Sequence, residues 1–250
     1  MPAAPSFRPR PLAGTAWRLV EAQHRVSTLK LVDTVEEQTL LERLIDDSKP
    51  VIPLECRHLE YLLATPFRYG APYPRGSRFR RAGLSEGVFY AAEAVRTAVA
   101  ETVFARLLFF AESPATPWPR NAAEHTAFSV SYRSDKAIDL TAGMLARQRA
   151  AWTHPTDYAP CQNLAGQARD AGIDLIRYES ARDPGRGANL ALLRCRVFAR
   201  PKPVERQSWW IRLSASGAQM VREFPRLGID FDRQTFAADP RIARLNWERG

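Results

Sequence analysis

Hydrophobic and polar positions follow a helical period in the first part of the chain. The strongest helical pattern runs from Glu93 to Phe110. An earlier helix is predicted to begin at Thr34, because Thr34 and Glu37 have the spacing of a capping box and leucines follow at helical intervals. The remaining helices are predicted over 54–63, before Thr65-Pro66, and over 158–171.

Alternation of apolar and polar residues, which is typical of half-buried strands, dominates the later part of the chain. Strands are expected at 16–20, 87–91, 128–132, 173–178 and 189–198, with a hairpin over 208–213 and 219–224. Helices come early and strands come late, without a regular β-α-β alternation. This order predicts an α+β fold with a mixed, mostly antiparallel sheet and flanking helices.

We predict a division of the chain near residue 60. Residues 1–60 are expected to form an N-terminal extension that is disordered over its Pro- and Ala-rich start, 1–14, and largely helical afterwards. Residues 61–250 are expected to form the main domain. No stretch approaches the ~20 apolar residues that span a bilayer. The N-terminus also lacks the apolar segment of a signal peptide, so we expect a cytoplasmic protein without membrane contact.

The charge of the chain suggests an alternative to an enzyme. The 250 residues include 36 Lys and Arg against 27 Asp and Glu, which gives a net charge of +9. Clustered arginines, such as Arg75, Arg78, Arg80 and Arg81, suit a protein that binds nucleic-acid phosphates without catalysis. Hydrophobic residues make up 45% of the chain, which is enough to build a core and excludes a disordered protein.

Cysteine and histidine positions argue against disulfide and metal chemistry. Cys56, Cys161 and Cys195 lie far apart and form no C-x-x-C pair. The histidines form no H-E-x-x-H pair. We therefore expect reduced thiols and no metal site.

The two glutamates near the long helix differ in their neighbours. Glu93 has Arg96 three residues later and is expected to form a surface ion pair with it. Glu101 has no cation at helical neighbour positions, and a carboxylate among small and apolar residues is costly unless another group compensates it. Two interpretations stay open for Glu101: the border of a polar face, or a functional carboxylate.

Two loops carry side chains that suit a ligand. The stretch 66–87 is rich in Gly, Pro, Arg and Tyr, and it includes Arg68, Tyr69 and Arg78. Arginine beside aromatic residues suits an anionic, planar ligand, because guanidinium groups bind phosphate oxygens and aromatic faces stack on heterocycles. Ser180 directly follows a predicted strand, where ligand contacts are common. A solvated basic loop and an ordinary turn are the alternatives.

Four separated segments of the chain match the motifs of one known family, in the same order. They are Gly76-Ser77-Arg78-Phe79, GVFYAAE at 87–93, TAVAET at 97–102 and YESAR at 178–182. Together they resemble the RES-domain family from Pro66 to Phe198. The resemblance implies a fold like that of the ADP-ribosyltransferases and a toxin of a bacterial type II toxin–antitoxin pair, which degrades NAD⁺ by breaking the nicotinamide–ribose bond. It further implies an Xre-like antitoxin as partner, a homodimer within the complex, and no direct contact with nucleic acid.

The resemblance implies which residues lie near the bond that is cleaved. Glu101 corresponds to the helix glutamate and is expected to stabilise positive charge on the ribose. Ser180 matches the serine after the late strand and is expected to hydrogen-bond the amide or a ribose hydroxyl. Some relatives place a serine where this chain has Ala159 and Pro160, so the serine assignment stays open. The acceptor also stays open among water, phosphate and a macromolecule, and the last would make an ADP-ribosyltransferase.

The resemblance also assigns the residues that hold the substrate. Arg78 corresponds to the arginine of the family's G-R-[WF] motif and is expected to bind the pyrophosphate together with Arg68. Tyr90 or Tyr69 is expected to stack on nicotinamide or ribose. Arg68 and Tyr69 match the family's earlier aromatic–Arg segment, although the segment around Arg18 competes for that match. NAD⁺ is implied as the substrate, with no cofactor and no metal.

Overall fold

The computed structural model describes residues 7–22, 31–68, 76–83 and 86–249. The strands in these ranges are β1 (Arg10–Glu21), β2 (Phe89–Ala92), β3 (Ala123–Asp139), β4 (Leu175–Glu179), β5 (Ala188–Leu192), β6 (Glu205–Ser214), β7 (Gly217–Arg222) and β8 (Leu227–Asp232). The α-helices are α1 (Val35–Asp47), α2 (Tyr61–Arg68), α3 (Val95–Glu112), α4 (Arg149–Trp152), α5 (Ala159–Asp170) and α6 (Pro240–Ala243).

One sheet organises the molecule. Its strands follow the order β1-β2-β5-β4-β3-β6-β7-β8, and β1 also pairs with β3. Strands β1, β2, β5, β4 and β3 therefore form a closed ring, from which β6, β7 and β8 extend. Within the described ranges every pairing is antiparallel except that of β3 with β4. The predicted α+β fold with a mixed, mostly antiparallel sheet is confirmed.

The first strand is longer than the sequence predicts. β1 pairs with β3 from Arg10 opposite Ala137 to Glu21 opposite His125. The expectation of disorder up to residue 14 is therefore wrong for residues 10–14, because the ladder with β3 orders them despite their composition. The division of the chain near residue 60 stays a prediction, and β1 belongs to the same sheet as the later strands.

Local signals place one helix end correctly and miss another. The Thr34 hydroxyl accepts the backbone N–H of Glu37 at 3.1 Å, and the Glu37 carboxylate accepts that of Thr34 at 3.1 Å, which confirms the capping box. Helix α2, in contrast, continues through Pro66 to Arg68 instead of ending before it. A proline in the last turn removes only one backbone hydrogen bond, and core packing of Leu63 and Phe67 offsets that loss.

The expectation of three reduced thiols is wrong for two of them. Cys56 and Cys195 form a disulfide with Cα atoms 5.6 Å apart, whereas Cys161 is free and buried. The predicted strand over 189–198 ends at Leu192, and Cys195 lies on a short 3-10 turn after it. No local spacing pattern could predict this pair, because the two cysteines are 139 residues apart. Only packing of their turns in a common core brings them together.

Helix α3 is the apolar centre of the molecule. Val99, Val103 and Leu107 are fully buried, and they pack in a core shared with β6, β7 and β8. A narrow polar stripe that includes Glu101 remains at the surface of a cleft. Among the described helices, none combines the length and the apolar character needed to cross a membrane.

Candidate active site

A cleft of about 720 Å³ runs beside α3. This volume lies within the range of small-molecule sites, ~300–1,000 Å³. Ala98, Glu101, Ala105 and Leu108 recur at helical spacing along its floor. Other elements that line the cleft are β1, the turn at 76–78, β2, the start of β5 and helix α6.

Glu101 presents a carboxylate to this cleft. Its Oε1 atom accepts hydrogen bonds from Ser180 Oγ at 2.7 Å and from Asn189 Nδ2 at 2.6 Å. In the described part of the chain no cation pairs with Glu101 and its Oε2 atom has no hydrogen-bond partner. Because both donors are neutral, the negative charge of the carboxylate is not cancelled. Of the two interpretations of Glu101, the structure supports the cleft carboxylate.

Ser180 lies behind Glu101 and is 2% exposed. Its hydroxyl donates to Glu101, and its oxygen accepts the backbone N–H groups of Arg182 at 3.1 Å and Asp183 at 3.0 Å. A hydroxyl has one proton and two acceptor positions, so these contacts use all of them. Ser180 is therefore placed to orient Glu101, and no proton is left for the ligand contact that the sequence suggested.

The turn between β4 and β5 brings the donors to the glutamate. Inside this turn the Asp183 carboxylate accepts from the Thr97 hydroxyl of α3 at 2.7 Å and from the backbone N–H of Gly187 at 3.2 Å. A Cβ atom at Gly187 would lie 2.1 Å from Thr97 Oγ1. Glycine is therefore required there for the turn to pack against the first turn of α3.

Arg78 also lines the cleft and is buried. It donates to the carbonyl oxygens of Trp152 at 2.7 Å and His154 at 3.0 Å, and its guanidinium lies 4.7 Å from the ring centre of Tyr158. Within the described ranges it has no carboxylate partner. Its positive charge is thus balanced only by dipoles and a ring, which leaves it suited to an anion.

Tyr90 fixes the turn that carries Arg78. Its hydroxyl lies 2.7 Å from Ser77 Oγ and accepts the backbone N–H of Phe79 at 3.0 Å. Burial raises the pKa of Tyr90, so its phenol stays neutral at physiological pH. Its side chain also lines the cleft, as does that of Tyr178. Burial and the neighbouring Glu101 raise the pKa of Tyr178 as well.

The structure places Arg18, and not Arg68, at the cleft. Arg18 donates to the carbonyl of Tyr90 at 3.0 Å and lines the cleft, and burial lowers its pKa to about 10. Arg68 instead donates to the carboxylate of Asp46 at 3.3 Å and to the carbonyl of Pro50. The assignment of Arg68 to the substrate is therefore not supported by its position.

Tyr69, the other substrate-binding residue suggested by the sequence, lies outside the described residues. The same holds for Arg75 of the basic loop. Arg81 of that loop bonds to the side chain of Asn163. Of the predicted site residues, the structure thus brings together Arg78, Tyr90, Glu101 and Ser180.

Two more arginines form the wall opposite β1. The buried carboxylate of Asp239 forms an ion pair with Arg182 at 3.0 Å and accepts a hydrogen bond from Arg241 at 2.8 Å. Burial raises the pKa of Asp239, but hydrogen bonds from Arg241 and the charge of Arg182 lower it overall. Arg182 also donates to the hydroxyl of Tyr158 at 3.1 Å. Arg182 ends the YESAR segment, but the sequence motifs give no role to it, to Arg241 or to Asp239.

Glu93 does not pair with Arg96 as predicted. Both of its oxygens accept from Arg177, at 2.7 Å and 2.9 Å. Arg177 in turn contacts Asp139 at 3.2 Å. The spacing of Glu93 and Arg96 predicts a contact only inside a helix, and Glu93 precedes the first residue of α3. Arg177 of β4 is the partner instead.

Metal binding finds no support in the described ranges. No group of three or more His, Cys, Asp or Glu side chains there is arranged to hold a metal ion. The cleft chemistry described above rests on Glu101, on neutral hydrogen-bond donors and on arginines.

The family of the chain follows from a match to a family model. The model of the RES domain matches residues 52–214, which is more than half of the chain. The chain belongs to the RES-domain family. The matched residues of this RES domain include Arg78, Tyr90, Glu101, Ser180 and Asn189, whereas Arg18 and Arg241 lie outside them.

Comparison with solved structures finds a distant similarity to a toxin–antitoxin complex. A chain in the crystal structure of the M. tuberculosis MbcT–MbcA toxin–antitoxin complex is 13% identical, with a TM-score of 0.43. The alignment covers 94% of this chain and 92% of that chain. No curated protein matches.

The sequence missed Asn189 as a functional residue of this RES domain. Asn189 is the second neutral donor to Glu101 and is 3% exposed. Its position at the start of a predicted strand, soon after the Y-E-S-A-R segment, was the available signal. Asn189 Nδ2 donates to Glu101, whereas Asn189 Oδ1 is buried without a hydrogen-bond partner among the described residues.

Proposed function

We propose that this RES-domain protein is the toxin of a bacterial toxin–antitoxin pair and degrades NAD⁺ by cleaving the bond between nicotinamide and ribose. The observation that carries the proposal is the environment of Glu101. Two neutral donors hold one of its oxygens, no cation of the described residues cancels its charge, and it faces the cleft. A carboxylate fixed in this way is arranged to stabilise positive charge on a bound substrate.

The chemistry of NAD⁺ requires little more than such a carboxylate. When the glycosidic bond breaks, its electron pair goes to the nicotinamide nitrogen, and the cationic ring leaves as a neutral molecule. No general acid is needed. Positive charge develops on the ribose, as in glycosidases, and Glu101 Oε2 is the oxygen available to face it. The acceptor then forms the new bond at the same carbon and gives up its proton.

Arg18 and Arg78 are proposed to hold the pyrophosphate. Neither has a carboxylate partner among the described residues, and both line the cleft. Their two positive charges correspond to the two negative charges of a pyrophosphate. Arg18 therefore takes the role that the sequence gave to Arg68, whose guanidinium is bound to Asp46.

Tyr90 and Tyr178 supply aromatic surface beside these charges. Both phenols are held neutral by burial, and both side chains line the cleft with Glu101. They are the rings in the described part of the cleft proposed to contact nicotinamide or the ribose. Ser180 contributes indirectly by orienting Glu101.

An NAD⁺-degrading toxin must be silenced in the cell that makes it. We propose an Xre-like antitoxin that covers the cleft, and cytoplasm as the site of action, where NAD⁺ is present. Because the cleft is lined by several arginines, an acidic antitoxin segment is the expected contact. A homodimer within the complex remains a prediction.

The direct test is incubation of the purified protein with NAD⁺. We expect release of nicotinamide, measured by chromatography, together with an ADP-ribose product whose identity names the acceptor. Free ADP-ribose indicates water, a phosphorylated ADP-ribose indicates phosphate, and label retained on protein indicates an ADP-ribosyltransferase. Absence of nicotinamide release, together with normal NAD⁺ levels in cells that express the protein alone, would exclude the proposal.

A further inference from the structure

We infer that Arg241 is a substrate-binding residue that contacts a phosphate of the ADP-ribose part of the ligand, and that Asp239 positions it. The inference rests on the proposed function for the identity of the ligand. Arg241 belongs to α6, which lies beyond the residues 52–214 that match the family model. The C-terminal segment of the chain would thus complete the cleft of the RES domain.

Asp239 holds Arg241 in one orientation. Its Oδ1 atom accepts the backbone N–H of Arg241 at 2.9 Å and Nε at 3.0 Å, and its Oδ2 atom accepts Nη2 at 2.8 Å. Asp239 is 1% exposed, whereas the Arg241 side chain is 34% exposed and lines the cleft. The guanidinium is fixed on one edge by Asp239 and lies close to the Tyr158 hydroxyl, so it is pre-organised for a ligand in the cleft.

The second cation on Asp239 makes this wall electropositive. Arg182 binds the same carboxylate at 3.0 Å, but its side chain is only 5% exposed and stacks on the ring of Phe104. One aspartate therefore serves two guanidinium groups, and one positive charge remains. Both guanidinium groups line the cleft, and that of Arg241 is the more exposed of the two.

Core packing holds α6 and the residues after it in place. Ile242 and Leu245 are buried in the same core as Phe104. Arg249 continues the attachment by donating to the carbonyl of Phe110 at the end of α3, at 2.8 Å. Arg241 therefore keeps a constant position relative to the floor of the cleft that carries Glu101.

Phosphate is the part of the substrate that this group suits best. Guanidinium groups bind phosphate oxygens through charge-assisted hydrogen bonds. Nicotinamide leaves as an uncharged molecule and offers no such oxygen. Arg241 should therefore act on binding of ADP-ribose and leave nicotinamide binding unchanged.

The test compares Arg241→Ala with Arg244→Ala. Arg244 directly follows α6, is exposed and carries the same charge, so its removal controls for net charge. We expect Arg241→Ala to raise the KM for NAD⁺ about tenfold and to leave kcat within about threefold. In calorimetry, affinity for ADP-ribose should fall by a similar factor while inhibition by nicotinamide stays at the parent value. Arg244→Ala should match the parent in each measurement.

Several results would overturn the inference. Equal KM and equal ADP-ribose affinity in Arg241→Ala and the parent would do so, as would a loss confined to kcat. If Arg241→Ala fails to fold by circular dichroism, Arg241→Lys keeps the charge without the two-point contact to Asp239, and an unchanged ADP-ribose affinity there would refute the role of that contact. A parent protein that binds ADP-ribose through Arg241 but cleaves no NAD⁺ would exclude the proposed function while supporting this inference.

Discussion

Glu93 and Glu101 lie on either side of the start of α3, yet their surroundings are opposite. Glu93 is held by both nitrogens of an Arg177 fork, and Arg177 also contacts Asp139. Glu101 is held by the neutral side chains of Ser180 and Asn189. One carboxylate is neutralised by a cation, and the other is oriented without being neutralised.

This difference separates a structural carboxylate from the one that we propose to act on the substrate. In an ion pair the cation cancels most of the negative potential of the carboxylate, so little of it acts on a ligand. Neutral donors hold a carboxylate in place without cancelling its charge, so its negative potential reaches the cleft. The identity of the partners therefore says more about Glu101 than its burial does. The following experiments test that difference, beginning with the largest expected effect.

Glu101→Gln should abolish most of the activity. The substitution keeps the size of the side chain and removes the charge, and that charge matters most in the transition state, where the ribose becomes positive. We expect kcat for NAD⁺ cleavage to fall on the order of 10²-fold or more, with NAD⁺ binding retained. Steady-state kinetics and calorimetry measure the two quantities. Cleavage at the parent rate would contradict the mechanism, and failure to fold would show that Glu101 is a structural charge.

Ser180→Ala should reduce activity less. It removes one of the two donors to Glu101 and leaves Asn189 in place, so the carboxylate loses orientation but keeps its charge. The loss of one hydrogen bond, about 1–3 kcal/mol, corresponds to a fall in kcat of roughly 5- to 150-fold. KM should change little, because Ser180 has no group free for the substrate. A rise in KM with unchanged kcat would instead indicate direct contact with NAD⁺.

Glu93→Gln should affect stability and not catalysis. It leaves Arg177 partly buried without its main partner, and loss of one member of such a pair costs about 1–3 kcal/mol of unfolding free energy at this exposure. Urea unfolding measures the loss, and NAD⁺ cleavage below the transition should match the parent. Reduced kcat in folded Glu93→Gln would erase the distinction between the two glutamates.

The smallest expected effect is on the pKa of Tyr132. Burial, together with the charge of Glu93 and a hydrogen bond to it, raises this pKa to about 12. Since the unfolded chain releases the proton near pH 10, the unfolding free energy should fall as the pH rises from about 10 to 12. Glu93→Gln should lower the pKa of Tyr132 in an ultraviolet titration read against Tyr132→Phe. Glu101→Gln should leave it unchanged.

Sequence patterns identified one member of this pair for the right reason and the other for a wrong one. Glu101 was singled out because no cation lies at its helical neighbours, and the structure agrees. Arg96 was assigned to Glu93 from the same kind of spacing, but the partner is Arg177 on β4. Helical spacing predicts contacts only inside a helix, and Glu93 precedes the first residue of α3.

The site shows the same boundary between what local patterns can and cannot predict. The order of motifs located Arg78, Tyr90, Glu101 and Ser180, because family motifs survive as short contiguous segments. The motifs left Arg68 and Arg18 as alternatives, and the choice between them depends on which segment the sheet brings to the cleft. The role of Ser180 also changed, because its hydroxyl is fully used inside the protein.

The sequence by itself determined the helix that starts with the Thr34 capping box, the presence of α3 but not its first residue, the β6–β7 hairpin and the α+β class. These features depend on residues close together in the chain. Only the tertiary structure decided the Cys56–Cys195 pair, the donors to Glu101 and the placement of Arg241 by Asp239 at the cleft. Each joins segments that a linear pattern cannot relate, because side-chain partners are chosen by distance in the folded chain and not by spacing along it.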